Sequence, residues 1–366
     1  MKKYLALALV LILLLTTLAA CSQPAAEQTP APAPEAPGEA PAAESAPSAN
    51  PDAVVLKFAH SGSNLEDDPQ NVAAYYFEKI VEERSNGYYD VQVYPNKQLG
   101  DTTTLLEGIQ TGNIEMGDIE SGPTVGFLEA ETLWDLPYLF TSWEQAHEVI
   151  DGEIGDQIAE QWKDVGITIL GYNDGGFRYF TNSERPIVEP SDMNDLKIRV
   201  MDSSVMVASI NAFGASAVPM AFAEVYSALQ QGAIDGQENP YNVIYTQAYY
   251  EVQKYLTRSA HFFYLRHYMI NSDFYAAQPP EMQELLKQCA LDACQVQRDT
   301  CYQAQVQYET DLVEKYGMEI NDCNIDAFAQ IAREKVWPEY YEVIGNGDAE
   351  AGKAILDSIV AVGEKY

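Results

Sequence analysis

After Pro279-Pro280 the chain runs to Gly317, nearly forty residues, without a further proline or glycine, with Met282, Leu285, Leu286, Leu291 and Val296 spaced along it. A helix of that length exceeds what one compact globular core normally holds. It therefore predicts a brace that spans two domains. The roughly 315 residues from Asp52 to Tyr366 give the same division, because single hydrophobic cores stop growing near this size.

Ahead of the brace, strand and helix patterns alternate. Val54–His60 reads as a buried strand opening into a polar loop at 61–68. A helix from about Pro69 to Ser85 follows, with Ala73, Phe77, Ile80 and Val81 as its apolar stripe and Asn86-Gly87 as its stop. Then come a strand near Asp90–Tyr94, a loop at 95–100 and a helix near Thr102–Thr111. This alternation is that of an α/β open sheet. Beyond it, Gly166–Asn182 predicts an apolar strand, a glycine-rich turn and an arginine, Arg178. The segment Tyr245–Leu256 is helical in character, and Ala260–Asn271 reads as a further strand.

The N-terminus is of another kind. Lys2 and Lys3 precede an apolar run from Leu5 to Leu15, and Leu18-Ala19-Ala20 precede Cys21. A positive start, a short apolar core and small residues before the cut predict a secretory signal peptide over residues 1–20. Cys21 directly after Leu-Ala-Ala resembles a bacterial lipobox and predicts lipid attachment there; an ordinary signal peptide with an incidental cysteine is the alternative. Residues 21–51, almost entirely Ala, Pro, Glu, Ser and Gln, cannot bury enough apolar surface to fold, and predict a disordered stalk. With 55 acidic against 21 basic residues, the chain lacks the basic patches that nucleic acid or an anionic membrane surface would need.

That acidity makes the segment 195–240 informative. Leu196, Ile198 and Val200 alternate with Lys197, Arg199 and Met201, as in a strand with one buried face, which aims Arg199 away from the apolar side. Phe222, Val225, Tyr226 and Leu229 then recur at helical spacing, and Asp235-Gly236-Gln237-Glu238-Asn239-Pro240 carries turn chemistry with polar side chains exposed. Taken alone, Arg199 is a solvent-facing charge on a half-buried strand. Against that stands scarcity: between Lys163 and Lys254 the cations are Arg178, Arg185, Lys197 and Arg199. An acidic protein that holds an anion needs a few fixed bidentate donors, which arginine supplies.

Other chemistry has less support. Of the histidines, His60, His147, His261 and His267, none belongs to an H-E-x-x-H, and no G-x-S-x-G elbow or phosphate-binding glycine motif occurs. No catalytic residues or metal ligands are therefore assigned. On the expected long helix Cys294 and Cys301 lie two turns apart, beyond disulfide reach, and Cys289 is turned away. These three and Cys323 are expected as free, largely buried thiols.

The strand KIRV, the helix entry GASAVPMAFAEVYSALQQG and the turn DGQENP resemble the solute-binding proteins of tripartite ATP-independent periplasmic (TRAP) transporters, the DctP family of C4-dicarboxylate and sialic-acid receptors. SNGYYDVQVYPNKQLGD, GIQTGNIEMGDIES, LWDLPYLF and FRYFTN extend the resemblance over essentially all of the chain from Val54 onward. It implies a periplasmic-binding-protein type II-like fold, two α/β domains around a ligand cleft with a long helix bracing both. The expected division is 52–175 plus about 265–304, and about 176–264 plus 305–366.

The resemblance also implies roles. Arg199 would clamp a ligand carboxylate, Arg178 add a second positive group, Asn239 an amide, and Phe222 an apolar wall. Glu120 and Asp101 match positions that contact ligand hydroxyls or water, and His60 sits where a strand enters the cleft-facing loop. Ser61 stands where sialic-acid receptors carry Asn, which favours a smaller mono- or dicarboxylate. Neither enzymatic activity nor a cofactor is expected. The implied protein is a monomer, exported, lipid-anchored to the outer face of the cytoplasmic membrane, and delivers its ligand to TRAP membrane subunits driven by an ion gradient. The substrate-binding lipoprotein of an ATP-driven importer is the alternative, and a lipoprotein hydrolase a more distant one.

Overall fold

The computed structural model describes residues 50–366. The expected signal peptide, Cys21 and nearly all of the stalk lie outside the described residues. No helix among those described is long and apolar enough to cross a membrane.

One nine-stranded mixed sheet carries the fold, in the order β2-β1-β3-β8-β4-β7-β5-β6, with β9 added on β8. Its first part is β1 (Val54–His60), β2 (Tyr89–Tyr94) and β3 (Met116–Glu120), with β1 parallel to both neighbours. The connections are helices Pro69–Arg84 and Thr102–Gln110, started by the carboxylates of Asp68 and Asp101, which accept from first-turn amides as N-caps. Its second part repeats the plan: β5 (Lys197–Val200) lies parallel between β6 (Ser216–Pro219) and β7 (Gly236–Asn239), and Ser203 caps the helix Ser204–Ala212 between β5 and β6. Each part is a βαβαβ unit built around a central strand.

Two long antiparallel strands, β4 (Ile167–Asn182) and β8 (Tyr255–Asn271), join the units. At one end β8 pairs with β3, at the other with β9 (Glu319–Asp322), while β4 pairs with β7. The helix Pro280–Glu314, 35 residues long, crosses behind them. Leu286, Ala290 and Cys294 enter the core that holds Phe58, Phe77 and Val91, while Tyr308 and Leu312 enter the core of Ile198, Val225 and Phe328. The brace read from the sequence is thus present.

Several local expectations are corrected. Gly175-Gly176 is no turn: β4 runs straight through it, with a shift in register between Asp174 and Phe177. Gly176 takes φ +77°, and a Cβ there would stand 2.3 Å from the Trp143 ring, so glycine answers a bulge that keeps the strand going. The DGQENP segment is not an exposed turn either, since Gly236–Asn239 is β7 and wholly buried. Tyr245–Leu256 is only briefly helical, and β8 begins at Tyr255. On the long helix Leu291 faces out, 42% exposed, while Cys289, Ala290, Ala293 and Cys294 face in. Small residues win the inward face because the helix lies close on β4, where a Cβ at Gly171 would meet Cys294 Sγ at 3.0 Å. The four thiols are free; three are buried and Cys323 is half-buried. At the C-terminus Val336, Trp337, Leu356 and Ile359 share a core with Leu105 and Trp162 of the first part.

Candidate functional site

Strands β3 and β7 end against the middles of the two long strands, Glu120 opposite Arg266 of β8 and Asn239 opposite Tyr179 of β4, and residues at the ends of β3, β7 and β5 line a cleft of about 450 Å³. One wall comes from Lys97, Asp101, Thr102 and Glu120, the other from Arg199, Met220, Phe222 and Asn239, with Tyr264 of β8 at the base. Ligands of open α/β sheets bind at this location, outside the carboxyl ends of parallel strands.

Arg199 is the residue that sets the character of the cleft. It is only 2% exposed, so the plain reading of a solvent-facing charge is overturned: Arg199 faces the cleft, while Lys197 two residues before it stays exposed. Its Nε and Nη2 both donate to the Met220 carbonyl, at 3.0 and 2.8 Å, and Nη1 is buried with no partner. The other buried arginines all meet carboxylates. Arg178 pairs with Glu238, Arg266 with Asp118, and Arg298 with Asp151. Among the described residues, Arg199 is the buried arginine without an anion. Burial pulls its pKa down from the ordinary value, the direction that reports a charge short of solvation. An isolated buried cation costs several kcal/mol, so an anion entering the cleft gains what the protein has left unsatisfied.

Arg178 is placed differently from its expected role. It is fully buried behind the cleft lining, with Nε and Nη2 on the Glu238 carboxylate at 2.5 and 2.8 Å and Nη2 also on the Glu238 carbonyl. Its guanidinium lies 4.6 Å from the centre of the Tyr264 ring, so it supports the base of the cleft from below. Burial alone would raise the Glu238 pKa, but the Arg178 charge and its hydrogen bonds, with the His261 ring 3.6 Å away, outweigh it and hold it at about 2.

Asn239, Phe222, Glu120 and Asp101 do line the cleft. Asn239 is buried at the end of β7 and donates to Gln237 Oε1 at 2.5 Å. Asp101 is partly committed as a cap, accepting from the Thr104 amide at 2.9 Å. Glu120 accepts from Thr102 and Ser61 and lies 3.4 Å from Arg266 Nη1. Burial would raise its pKa, yet Arg266 and the hydroxyls lower it, so it presents an acceptor to the cleft. Ser61 therefore positions Glu120 and is not itself on the lining. His60 also stands back. Its ring is fully buried without a hydrogen-bond partner, and burial followed by the Arg266 charge drops its pKa to about 3, which keeps it neutral.

Among the lining residues that escaped the sequence reading are Tyr264 and Lys97. Tyr264 had no local signal. Its hydroxyl accepts from Arg266 Nη1 at 2.8 Å, and burial raises its pKa to about 12. Lys97 did carry one, as a cation within YPNKQLGD, but the scarcity argument looked only at the second half of the chain. Among the described residues, no group of three or more His, Cys, Asp or Glu side chains is arranged to hold a metal ion.

The family model for bacterial extracellular solute-binding proteins, family 7 (DctP), matches residues 58–343. The 2,3-diketo-L-gulonate-binding periplasmic protein YiaO of Escherichia coli K12 is 32% identical over 301 residues, 82% of this chain and 90% of its own length. Among solved structures, the sugar acid binding protein DctPAm of Advenella mimigardefordensis in complex with galactonate superposes with a TM-score of 0.79 at 27% identity, covering 85% of this chain and 99% of the other. A TRAP periplasmic solute binding protein of Shewanella oneidensis with bound succinate gives 0.79 at 26% identity over the same shares. With a cleft between two βαβαβ units, a buried arginine short of an anion and a family match across most of its length, this chain belongs to the family 7 bacterial extracellular solute-binding proteins, the receptors of TRAP transporters.

Proposed function

We propose that this receptor captures a small organic acid by its carboxylate, with Arg199 as the clamp, and delivers it to TRAP membrane subunits driven by an ion gradient. The observation that carries this reading is the unpaired Nη1 of a buried guanidinium on the cleft wall. Arg199 keeps its fork aligned through Met220 and offers the free edge to a carboxylate. Asn239 supplies an amide, Phe222 an apolar wall, and Glu120 and Asp101 acceptors for ligand hydroxyls. Arg178, Ser61 and His60 act through these groups. Similar proteins bear names or ligands that include a diketo sugar acid, galactonate and succinate, which supports a carboxylate as the shared feature.

The binding event has no chemical step. The ligand shifts an open-to-closed equilibrium by its differential affinity for the closed form. In this reading the moving bodies are 52–175 plus about 265–304, and about 176–264 plus 305–366, hinged on β4, β8 and the long helix. The packing of Val336–Ile359 on the first core argues for moving that last stretch to the first body. The receptor works as a monomer, and Cys21 carries a lipid that tethers it to the outer face of the cytoplasmic membrane. Cys21→Ser then leaves the protein in the aqueous phase of a detergent partition.

A thermal-shift screen against C4-dicarboxylates, 2-oxo acids, sugar acids and sialic acid tests the reading. A ligand at a hundred times its Kd adds about 2.7 kcal/mol. Stabilisation by carboxylates supports it, and stabilisation by neutral sugars alone refutes it.

A further inference from the structure

The cleft holds a second cation without a carboxylate. Lys97 sits in the loop after β2 with φ +61°, fixed by its amide donating to the His60 carbonyl at 3.3 Å and its carbonyl accepting from Gly100 at 3.0 Å. This left-handed backbone turns the side chain of an otherwise exposed loop into the cleft lining. Its ammonium stands 4.4 Å from the centre of the Phe222 ring on the facing wall. No carboxylate lies within ion-pair distance of it among the described residues. Of the acids on the lining, Glu120 is committed to Arg266 and to two hydroxyls, and Asp101, Asp202 and Glu224 make no ion pair with Lys97.

The two cations rest on one short piece of chain. Arg199 is held by the carbonyl of Met220, and Lys97 by the ring of Phe222. Those residues are two apart, so their Cα atoms are separated by at most roughly 7 Å. Both side chains line the same cleft, within which one small molecule can reach the two charges. They come from opposite walls, which means that a ligand touching both also ties the two walls together.

We propose that Lys97 is a specificity-determining residue that selects ligands with a second negative charge at the end remote from the Arg199-bound carboxylate, over monoacids of the same skeleton. The inference rests on the reading of Arg199 as the carboxylate clamp. Burial works against the Lys97 charge and Arg199 adds to that, while Glu120 opposes it, so the ammonium has solvation to regain from an anion. A monoacid leaves Lys97 on the Phe222 ring, where a cation–π contact is a weak substitute for a charge-assisted hydrogen bond.

The test is titration calorimetry of the full-length protein with two matched pairs, succinate against succinamate and galactarate against galactonate. In at least one pair the diacid binds roughly 30-fold more tightly than its partner. Lys97→Met, which keeps the stem and removes the charge, brings the pair within about threefold by weakening the diacid far more than the monoacid. A melting temperature and a circular dichroism spectrum matching the wild type show that the variant is folded. Equal binding within both pairs by the wild type, or an equal loss for both members in Lys97→Met, overturns the role of Lys97. Arg199→Ala separates the two claims, because it abolishes monoacid and diacid binding alike if the clamp holds. Binding indifferent to Arg199, or no binding of any of the four acids, overturns the clamp and this inference with it.

Discussion

Arg199 donates twice to the carbonyl of Met220, through Nε at 3.0 Å and Nη2 at 2.8 Å, and meets no carboxylate. A carbonyl fixes the plane of the guanidinium without neutralising it. The charge is thus oriented and available together, on a wall where nothing else on β5 competes for it.

The pair behind the cleft behaves in the opposite way. Glu238 is fully buried on Arg178, and its pKa of about 2 lies below the ordinary carboxylate value. A depressed carboxylate contributes stability that is present above its unfolded pKa and lost as pH falls toward the folded one. Glu238→Gln should therefore cost about 3 kcal/mol near neutrality. The gap between wild type and variant should narrow at pH 3. Urea unfolding of both proteins at pH 6 and pH 3 checks it, and a gap that does not change with pH contradicts it.

Asp135 carries the reverse sign. It is buried and makes no ion pair among the described residues, accepting 2.7 Å bonds from Ser121 Oγ and Ser203 Oγ, which belong to the two βαβαβ parts. Burial raises its pKa to about 6 although both hydroxyls oppose the shift. Its stabilising contribution is full below the unfolded pKa and lost as pH rises through 6. Asp135→Asn should not suffer that loss, so relative to wild type it should gain on the order of 3 kcal/mol between pH 4 and pH 8. Guanidinium unfolding at the two pH values measures the difference directly.

Gly176 tests the bulge in β4. Alanine there must adopt φ +77° and push against Trp143, whose ring is held edge-on by Phe263 and Tyr302 at 5.9 and 5.4 Å. The expected cost is about 2–4 kcal/mol, from the left-handed backbone and the overpacking together. A melting temperature equal to that of the wild type would show that the strand relaxes more easily than its packing implies.

The alternating strands and helices and the long brace were legible because they rest on local spacing, whereas the N-caps at Asp68, Asp101 and Ser203 were seen first in the structure. The sequence misled where tertiary pairing overrides turn propensity. Asp235-Gly236 and Gly175-Gly176 have turn composition, yet both are drawn into the sheet by the long strands that join its halves. Of the expected site residues, Arg199, Asn239, Phe222, Glu120 and Asp101 come together on one cleft, the first four at or just beyond strand ends and Asp101 at a helix N-cap. Arg178, Ser61 and His60 fall one layer behind, because a one-dimensional pattern does not distinguish a side chain facing the cleft from one supporting it. Lys97 was hidden by its loop, since only the left-handed backbone turns it inward.

The central claim is the clamp, and Arg199→Lys reaches it most directly because it keeps the charge and removes only the fork. Titration calorimetry of wild type and variant with the best carboxylate from the screen should show affinity falling by roughly 10- to 100-fold, since charge-assisted hydrogen bonds contribute about 1.5–3 kcal/mol. Affinity within a factor of about two of the wild type would contradict the account, and place the ligand's carboxylate somewhere other than on Arg199.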